Sequence, residues 1–225
     1  MVVAGLGTLT WAGLVWRWQD PFTAVYTHWK QHQLGGQLDK RFVAFRPEQH
    51  GGSLAAERRA VADDARRYRR SVHRGDAIGR IKIPRMGLNM VVVNGTDHDT
   101  LTKGPGRDFR TFMPGENELV YLAGHRTTYL APFSHIDQLR KGDRITIEMP
   151  YATFVYRVTG HRIVTATDLS VLTSRHREVL ELQACHPRFF ATHRYIAYAR
   201  PVQVIPRHGL PYGIAANGRA TAQAA

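Results

Sequence analysis

The sequence contains a single cysteine, Cys185, among its 225 residues. One thiol cannot form an intramolecular disulfide, and it cannot supply a zinc site built from several cysteines. Free thiols are usually buried as small apolar side chains, so Cys185 is either a core residue or a reactive one. It ends an apolar run and precedes His186 and Pro187, which begin a polar sequence. This position favours a thiol used as a nucleophile.

Acidic residues are scarce, since 18 Asp and Glu stand against 31 Lys and Arg, a formal charge of +13. Such a balance is compatible with a nucleic acid or an anionic surface as partner. The sequence has no zinc-finger spacing and no RNP-type aromatic motif, so it does not predict nucleic-acid recognition. Many cations lie between Glu57 and Arg70, where arginines alternate with acidic residues. We interpret this stretch as a solvated helix face, with attachment to anionic lipid or wall polymer as the alternative.

The sequence also lacks an apolar run long enough to cross a bilayer. The fifteen residues from Val2 to Trp16 are apolar or small, but they span only about 22 Å as a helix, against a hydrocarbon core of about 30 Å. A signal peptide would have a basic start and an Ala-x-Ala exit, and neither is present. We interpret residues 1–18 as a partial transmembrane anchor, because their tryptophans suit a membrane interface. A buried helix is the alternative.

Residues 19–75 predict a helical stalk or linker. One helix is expected over 22–34, with Gly35-Gly36 interrupting it, and a second from an N-cap at Ser53 to about residue 70. Apolar residues recur every seven positions in the second helix and form one stripe, which is expected to pack on the main domain. A lid over a cleft and a partner surface are the alternatives. Small residues dominate 206–225, which predicts a disordered tail.

Residues 76–205 consist of short β-rich runs separated by turn sequences, which predicts a mainly all-β barrel or sandwich with short helices. The predicted strands are 78–83, 90–93, 119–123, 144–148, 153–164, 179–185 and 195–204, and the predicted short helices are 97–102 and 168–173.

Several motifs occur in this region in a fixed order. They are Ala77-Ile78-Gly79-Arg80-Ile81-Lys82-Ile83-Pro84, Val93-Asn94-Gly95-Thr96-Asp97, Gly104-Pro105-Gly106, Ala123-Gly124-His125-Arg126, Asp137-Gln138-Leu139-Arg140-Lys141-Gly142-Asp143, Cys185-His186-Pro187-Arg188 and Arg194. Over about residues 77–204 the sequence resembles the sortase family, and most of all its actinobacterial class E branch. Two motifs depart from the family pattern. Ala123 replaces the threonine of Thr-Gly-His, and Glu181 and Ala184 replace both threonines of Thr-Leu-x-Thr-Cys.

The resemblance implies an eight-stranded sortase β-barrel with three catalytic residues: Cys185 as nucleophile, His125 as base and acid, and Arg194 as oxyanion donor. His186 is the poorer partner for Cys185, because neighbours in a strand point to opposite faces. The implied reaction cleaves a C-terminal LPXTG or LAXTG sorting signal of a secreted protein between Thr and Gly. The Thr is then joined to an amine of a peptidoglycan precursor. The resemblance implies no organic cofactor, no residue is predicted as a metal ligand, and metal activation stays open. It places the domain outside the cell membrane on a single-pass N-terminal anchor.

Two other functions stay open at this point. A membrane-tethered cysteine peptidase would use the same nucleophile and base but deliver water to the thioester. A non-catalytic basic module could bind an anionic wall polymer, and its function would not depend on Cys185. A zinc site of Cys185, His186 and His193 is disfavoured by the single thiol and the irregular histidine spacing.

Overall fold

The computed structural model describes residues 21–48 and 53–222 of the chain. Its helices are α1 (Pro21–Ala44), α2 (Leu54–Ser71) and the short α3 (His98–Leu101), with 3-10 turns at Pro84–Met86, Ile136–Gln138 and Leu169–Leu172. Its strands are β1 (Ala77–Ile83), β2 (Leu88–Asn94), β3 (Gly106–Arg107), β4 (Leu119–Ala123), β5 (Arg144–Glu148), β6 (Ala152–Thr165), β7 (Val179–His186), β8 (His193–Pro206), β9 (Tyr212–Ile214) and β10 (Ala220–Ala222).

Eight of these strands close into a barrel, as predicted. Their order is β8-β6-β5-β1-β2-β3-β4-β7, and β7 pairs back with β8 to close the sheet. The β2–β3 and β4–β7 pairs are parallel, and the other pairs are antiparallel. Closure leaves no free edge among these eight strands. Because β6 and β8 are each 14 residues long, they form the most extensive pair, from Ala152↔Pro206 to Thr165↔His193.

The barrel interior is filled by alternate residues of the strands, and α2 packs against it. On β7, Leu180, Leu182 and Ala184 are fully buried in the main core. The α2 stripe contributes Val61, Ala65 and Tyr68 to the same core. The Tyr68 hydroxyl donates a hydrogen bond to the carbonyl of Ile78 at 3.0 Å. The prediction that the stripe packs on the main domain is therefore confirmed, as is its start, since the Ser53 side chain accepts from the Ala56 amide.

Helix α1 also packs on the barrel, and it does so without the predicted interruption. Leu34 and Leu38, on either side of the two glycines, are buried against Val91 and Val93 of β2. Gln31 adds hydrogen bonds to both backbone groups of Val91, at 2.7 and 3.0 Å. A glycine in a helix costs about 1 kcal/mol relative to alanine. Burial of leucines on both sides offsets that cost, so the helix continues to Ala44.

The interpretation of residues 206–225 as a disordered tail is wrong for the part that the structure describes. Strands β9 and β10 form a hairpin whose inner strand pairs with β8 through Val204↔Tyr212. The Tyr212 ring is only 2% exposed. Gly218 takes the left-handed conformation that the turn requires, with φ of 80°. One buried aromatic residue and an Asn-Gly turn thus outweigh a composition rich in small residues.

The seven strand predictions between 76 and 205 agree with the structure to within about two residues at each end, and the two-residue strand β3 was not predicted. The predicted anchor, residues 1–18, lies outside the described residues. Among the residues that are described, no helix is both long and apolar enough to cross a membrane.

Candidate active site

Three strand ends bring the predicted catalytic residues together at one end of the barrel. The parallel β4–β7 register pairs Ala123 with Gln183, and the Gly124 amide extends it by donating to the Gln183 carbonyl at 3.0 Å. His125 therefore follows β4 beside the end of β7. Across the β7–β8 seam, Cys185 pairs directly with Arg194. All three side chains line one cavity of about 290 Å³.

Cys185 is a half-buried free thiol on the outer face of the barrel wall. It alternates with Ala184 and Leu182, which face the core, and shares its own face with Gln183 and Glu181. The alternation of β7 thus keeps the thiol out of the core and in a cavity that solvent reaches. The core interpretation of the lone cysteine is excluded by this position.

His125 combines a half-buried ring with a nitrogen that has no partner. Its Nε2 is buried and makes no hydrogen bond within the described residues. Burial lowers the pKa of His125, and the neighbouring His98 lowers it further. The ring lies 5.0 Å from the Tyr129 ring and 6.4 Å from the His98 ring, centroid to centroid. A neutral imidazole with a free nitrogen is the form that can accept a thiol proton.

The loop that follows His125 holds an unusual backbone. Tyr129, Leu130 and Ala131 have φ values of 54°, 60° and 38°, in the left-handed region that non-glycine residues rarely enter. The Phe133 amide ties this loop to the His125 carbonyl at 3.1 Å. Strained segments of this kind are concentrated at functional sites.

Arg194 is positioned by one of its terminal nitrogens. Its Nη1 donates to the carbonyls of Ala191 and His193, at 2.8 and 3.0 Å. The other guanidinium nitrogens form no hydrogen bond within residues 53–222 or 21–48. The guanidinium therefore retains donors for a carbonyl or an oxyanion in the cavity.

Arg126 is a component of this region that the sequence did not reveal. Its side chain is 3% exposed, and its Nη2 donates to Asp137 at 2.7 Å. Its Nη1 lies 3.2 Å from the Cys185 carbonyl oxygen and 3.0 Å from Nδ1 of His186. His186 is thus engaged by Arg126, in agreement with its rejection as a partner of the thiol. The joint presence of Arg126 and Asp137 in the motif order was the available signal.

Asp108 and Arg110 line the same cavity and were not predicted as site residues. Arg110 donates hydrogen bonds from Nε and Nη2 to the Asp108 carboxylate, at 2.9 and 2.7 Å. The Thr96 hydroxyl donates another to the same carboxylate at 3.2 Å. Burial raises the pKa of Asp108, but these donors outweigh it and hold the pKa below its ordinary value. In the part of the chain that the structure describes, no three His, Cys, Asp or Glu side chains are grouped to hold a metal ion.

Comparison with known proteins gives the class of this barrel. The model of the sortase domain matches residues 81–202, which is more than half of the chain. The chain therefore belongs to the sortase family.

Among curated proteins, it is similar to Sortase D of Bacillus subtilis (strain 168), with 36% identity over 132 residues, 57% of this chain and 65% of that protein. It is also similar to Sortase SrtE1 of Streptomyces coelicolor, with 27% identity over 149 residues, 59% of this chain and 42% of that protein. The chain thus spans less than two thirds of the length of either relative.

A solved structure supports the fold. The Clostridium perfringens Sortase D5 transpeptidase superimposes with a TM-score of 0.62, covering 77% of this chain and 98% of that one. Its sequence identity is 23%, so this likeness concerns the barrel alone.

Proposed function

We propose that this chain is a transpeptidase that cleaves a C-terminal sorting signal between Thr and Gly and joins the Thr to an amine of the cell wall. The observation that carries the proposal is the convergence of Cys185, His125 and Arg194 on one cavity at the end of the barrel, with Cys185 and Arg194 paired across the seam. A thiol, a free imidazole nitrogen and a guanidinium are the groups that acyl transfer through a thioester requires.

In the first half-reaction, the Cys185 thiol gives its proton to His125, and the sulfur attacks the carbonyl carbon of Thr. Arg194 donates hydrogen bonds to the oxygen as it becomes negative. The carbon–nitrogen bond to Gly then breaks, and His125 returns the proton to the departing amine. The product is a thioester between Cys185 and the Thr carbonyl.

In the second half-reaction, an acceptor amine attacks the thioester carbon. His125 takes a proton from that amine, the carbon–sulfur bond breaks, and the proton returns to the sulfur. The new bond is an amide between Thr and the acceptor. We propose a peptidoglycan precursor as acceptor, secreted proteins with sorting signals as substrates, and residues 1–18 as part of a single-pass anchor that holds the domain outside the membrane.

The class and the signal belong to the same proposal. We assign the chain to class E with Leu-Ala-x-Thr-Gly as its preferred signal, on the resemblance over about residues 77–204 and on the similarity to SrtE1. The relative with 36% identity is called Sortase D. A comparison of Leu-Ala-x-Thr-Gly with Leu-Pro-x-Thr-Gly therefore decides this assignment.

The test is mass spectrometry of the protein mixed with each peptide, with and without oligoglycine or diaminopimelate as the amine. Wild type is expected to cleave between Thr and Gly and transfer the Thr to the amine. Cys185→Ala and His125→Ala are expected to abolish both products, and Arg194→Ala to lower the rate about a hundredfold or more. His208→Ala and Arg219→Ala change exposed residues outside the cavity and serve as matched controls.

The outcomes separate the alternatives. Hydrolysis without transfer, lost in the same variants, would support a peptidase instead. Binding to anionic wall polymer that survives Cys185→Ala, with neither product formed from either peptide, would support the non-catalytic module.

A further inference from the structure

A second cavity lies beside the candidate active site on the same outer face of the barrel. It has a volume of about 430 Å³, and its charged lining is Arg162, Arg175, Arg177, Arg200 and Glu181. We call it the arginine cavity. It shares Val171 with the active-site cavity, so the 3-10 turn Leu169–Leu172 stands between the two.

The arginines of this cavity have no counter-ions at contact distance. Within the described residues, the guanidinium groups of Arg162, Arg175 and Arg177 form no hydrogen bond and no ion pair, and Arg200 donates only to the Ala216 carbonyl at 3.4 Å. Like charges that line one cavity repel each other, and an anion placed among them relieves that repulsion.

Glu181, the one acidic residue of the cavity, does not balance this charge. Glu181 is only 8% exposed. Its Oε2 atom is buried and has no hydrogen-bond partner in the described part of the chain. Burial raises the pKa of Glu181 to about 7, against the opposing effect of Arg175. A large fraction of this carboxyl is therefore uncharged at neutral pH, and the cavity stays strongly positive.

The distance to the thiol suggests which anion is recognised. Glu181 and Cys185 lie four residues apart on the same face of β7, which corresponds to about 13 Å. An extended peptide that follows β7 covers this distance with four residues. In a Leu-Ala-x-Thr-Gly signal whose Thr carbonyl lies at Cys185, the fourth residue before Thr is the one directly upstream of Leu.

We propose that the arginine cavity recognises an acidic side chain directly upstream of the sorting signal. This proposal rests on the proposed function. The N-terminal side of the substrate stays bound through both half-reactions, whereas the Gly side departs after the first. A contact that contributes throughout the reaction therefore belongs to the N-terminal side. Arg175 and Arg177 would hold the Asp or Glu carboxylate through charge-assisted hydrogen bonds.

The test measures binding separately from chemistry. Fluorescent peptides carry Glu-Glu, Gln-Gln or Lys-Lys directly before the signal, or Glu-Glu directly after its Gly. Their affinity for the full chain with Cys185→Ala is measured by fluorescence anisotropy. The upstream Glu-Glu peptide is expected to bind about tenfold more tightly than the Gln-Gln peptide.

Two charge-matched variants locate the effect. Arg175→Gln with Arg177→Gln is expected to reduce the preference to less than about twofold. Arg59→Gln with Arg219→Gln removes the same charge from exposed positions outside the cavity, and the preference is expected to persist.

The proposal would be overturned if the upstream Glu-Glu and Gln-Gln peptides bound with equal affinity. It would also be overturned if Glu-Glu after the Gly raised the affinity as much as Glu-Glu before the signal. A preference for Glu-Glu that persists in the protein with Arg175→Gln and Arg177→Gln would overturn it as well. Polyphosphate that binds through Arg175 and Arg177 while the peptides show no preference would assign the cavity to a wall polymer instead. Transfer by wild type is measured in parallel. An upstream preference without transfer would refute the proposed function and leave the recognition of acidic peptides established.

Discussion

Arg126 connects His125 to Cys185, because it follows His125 directly in the chain and contacts the carbonyl of Cys185. Its guanidinium also contacts the His186 ring and forms an ion pair with Asp137. One buried side chain thus fixes the end of β7 relative to the loop that carries the base. We therefore regard Arg126 as a positioning residue for the proposed reaction.

Replacing Arg126 with Gln is expected to lower kcat about tenfold or more and to change KM much less. The reason is that the thiol loses its fixed position relative to His125, and a small misplacement of reacting groups is costly. Steady-state kinetics with the preferred peptide checks this. Asp137→Asn, which leaves Arg126 in place, is the milder comparison. An unchanged kcat in a folded Arg126→Gln protein would show that the contact is structural only.

The sequence could predict Cys185, His125 and Arg194, because family motifs mark their positions, and the strand registers place all three at one cavity. Motif order includes Arg126, but it does not show that this arginine is buried whereas many others of a chain with 31 basic residues lie on the surface. Its burial arises only when the loop after His125 folds back, so that Asp137 and the end of β7 meet it. Motif position predicted three residues that line the cavity, whereas three-dimensional packing determines which residues hold them in place.

At the scale of elements, the C-terminal hairpin extends the barrel wall and has a measurable share in its stability. Tyr212→Ala is expected to lower the free energy of unfolding by roughly 3 kcal/mol, because a fully buried aromatic ring is replaced by a cavity. Urea denaturation followed by circular dichroism measures it. Phe190→Ala removes a ring that is 77% exposed, and its expected effect is within about 0.5 kcal/mol. Equal effects of the two substitutions would contradict the docking of the hairpin.

The strands of the barrel were predictable because alternation and β-rich composition are local signals. Strand β4 occupies 119–123 and β5 occupies 144–148, as the pattern indicates. Two of the failed predictions, those for α1 and for the hairpin, share a cause. In both, local composition predicted a break or disorder, and a distant contact reversed it: Leu34 and Leu38 on β2 in one case, and Tyr212 on the barrel in the other.

At the scale of the whole molecule, Glu181 makes stability depend on pH. Burial raises its pKa in the folded state to about 7, above the ordinary glutamate pKa of 4.5. The folded chain therefore holds this proton more tightly than the unfolded chain. Deprotonation is thus costly in the folded state, and stability falls as pH rises from about 4.5 to about 7, then levels off. The full difference corresponds to at most about 3 kcal/mol.

Glu181→Gln removes this titration. The free energy of unfolding of the variant, relative to that of wild type, is therefore expected to rise by roughly 1–3 kcal/mol between pH 5 and pH 8. Urea titrations of both proteins at the two pH values measure this growth, and other titrating groups cancel in the comparison. The same difference in free energy of unfolding at pH 5 and at pH 8 would show that the Glu181 carboxyl has an ordinary pKa.

The seam between β7 and β8 both closes the barrel and pairs Cys185 with Arg194. His125 lies sixty residues earlier in the chain, and the β4–β7 register brings it to the cavity that Cys185 also lines. In the unfolded chain, His125 is therefore far from Cys185 and Arg194, and the three residues form no common site. Barrel closure and the assembly of these three residues therefore occur in the same folding step, and the proposed activity towards peptide tails is expected only from the folded chain.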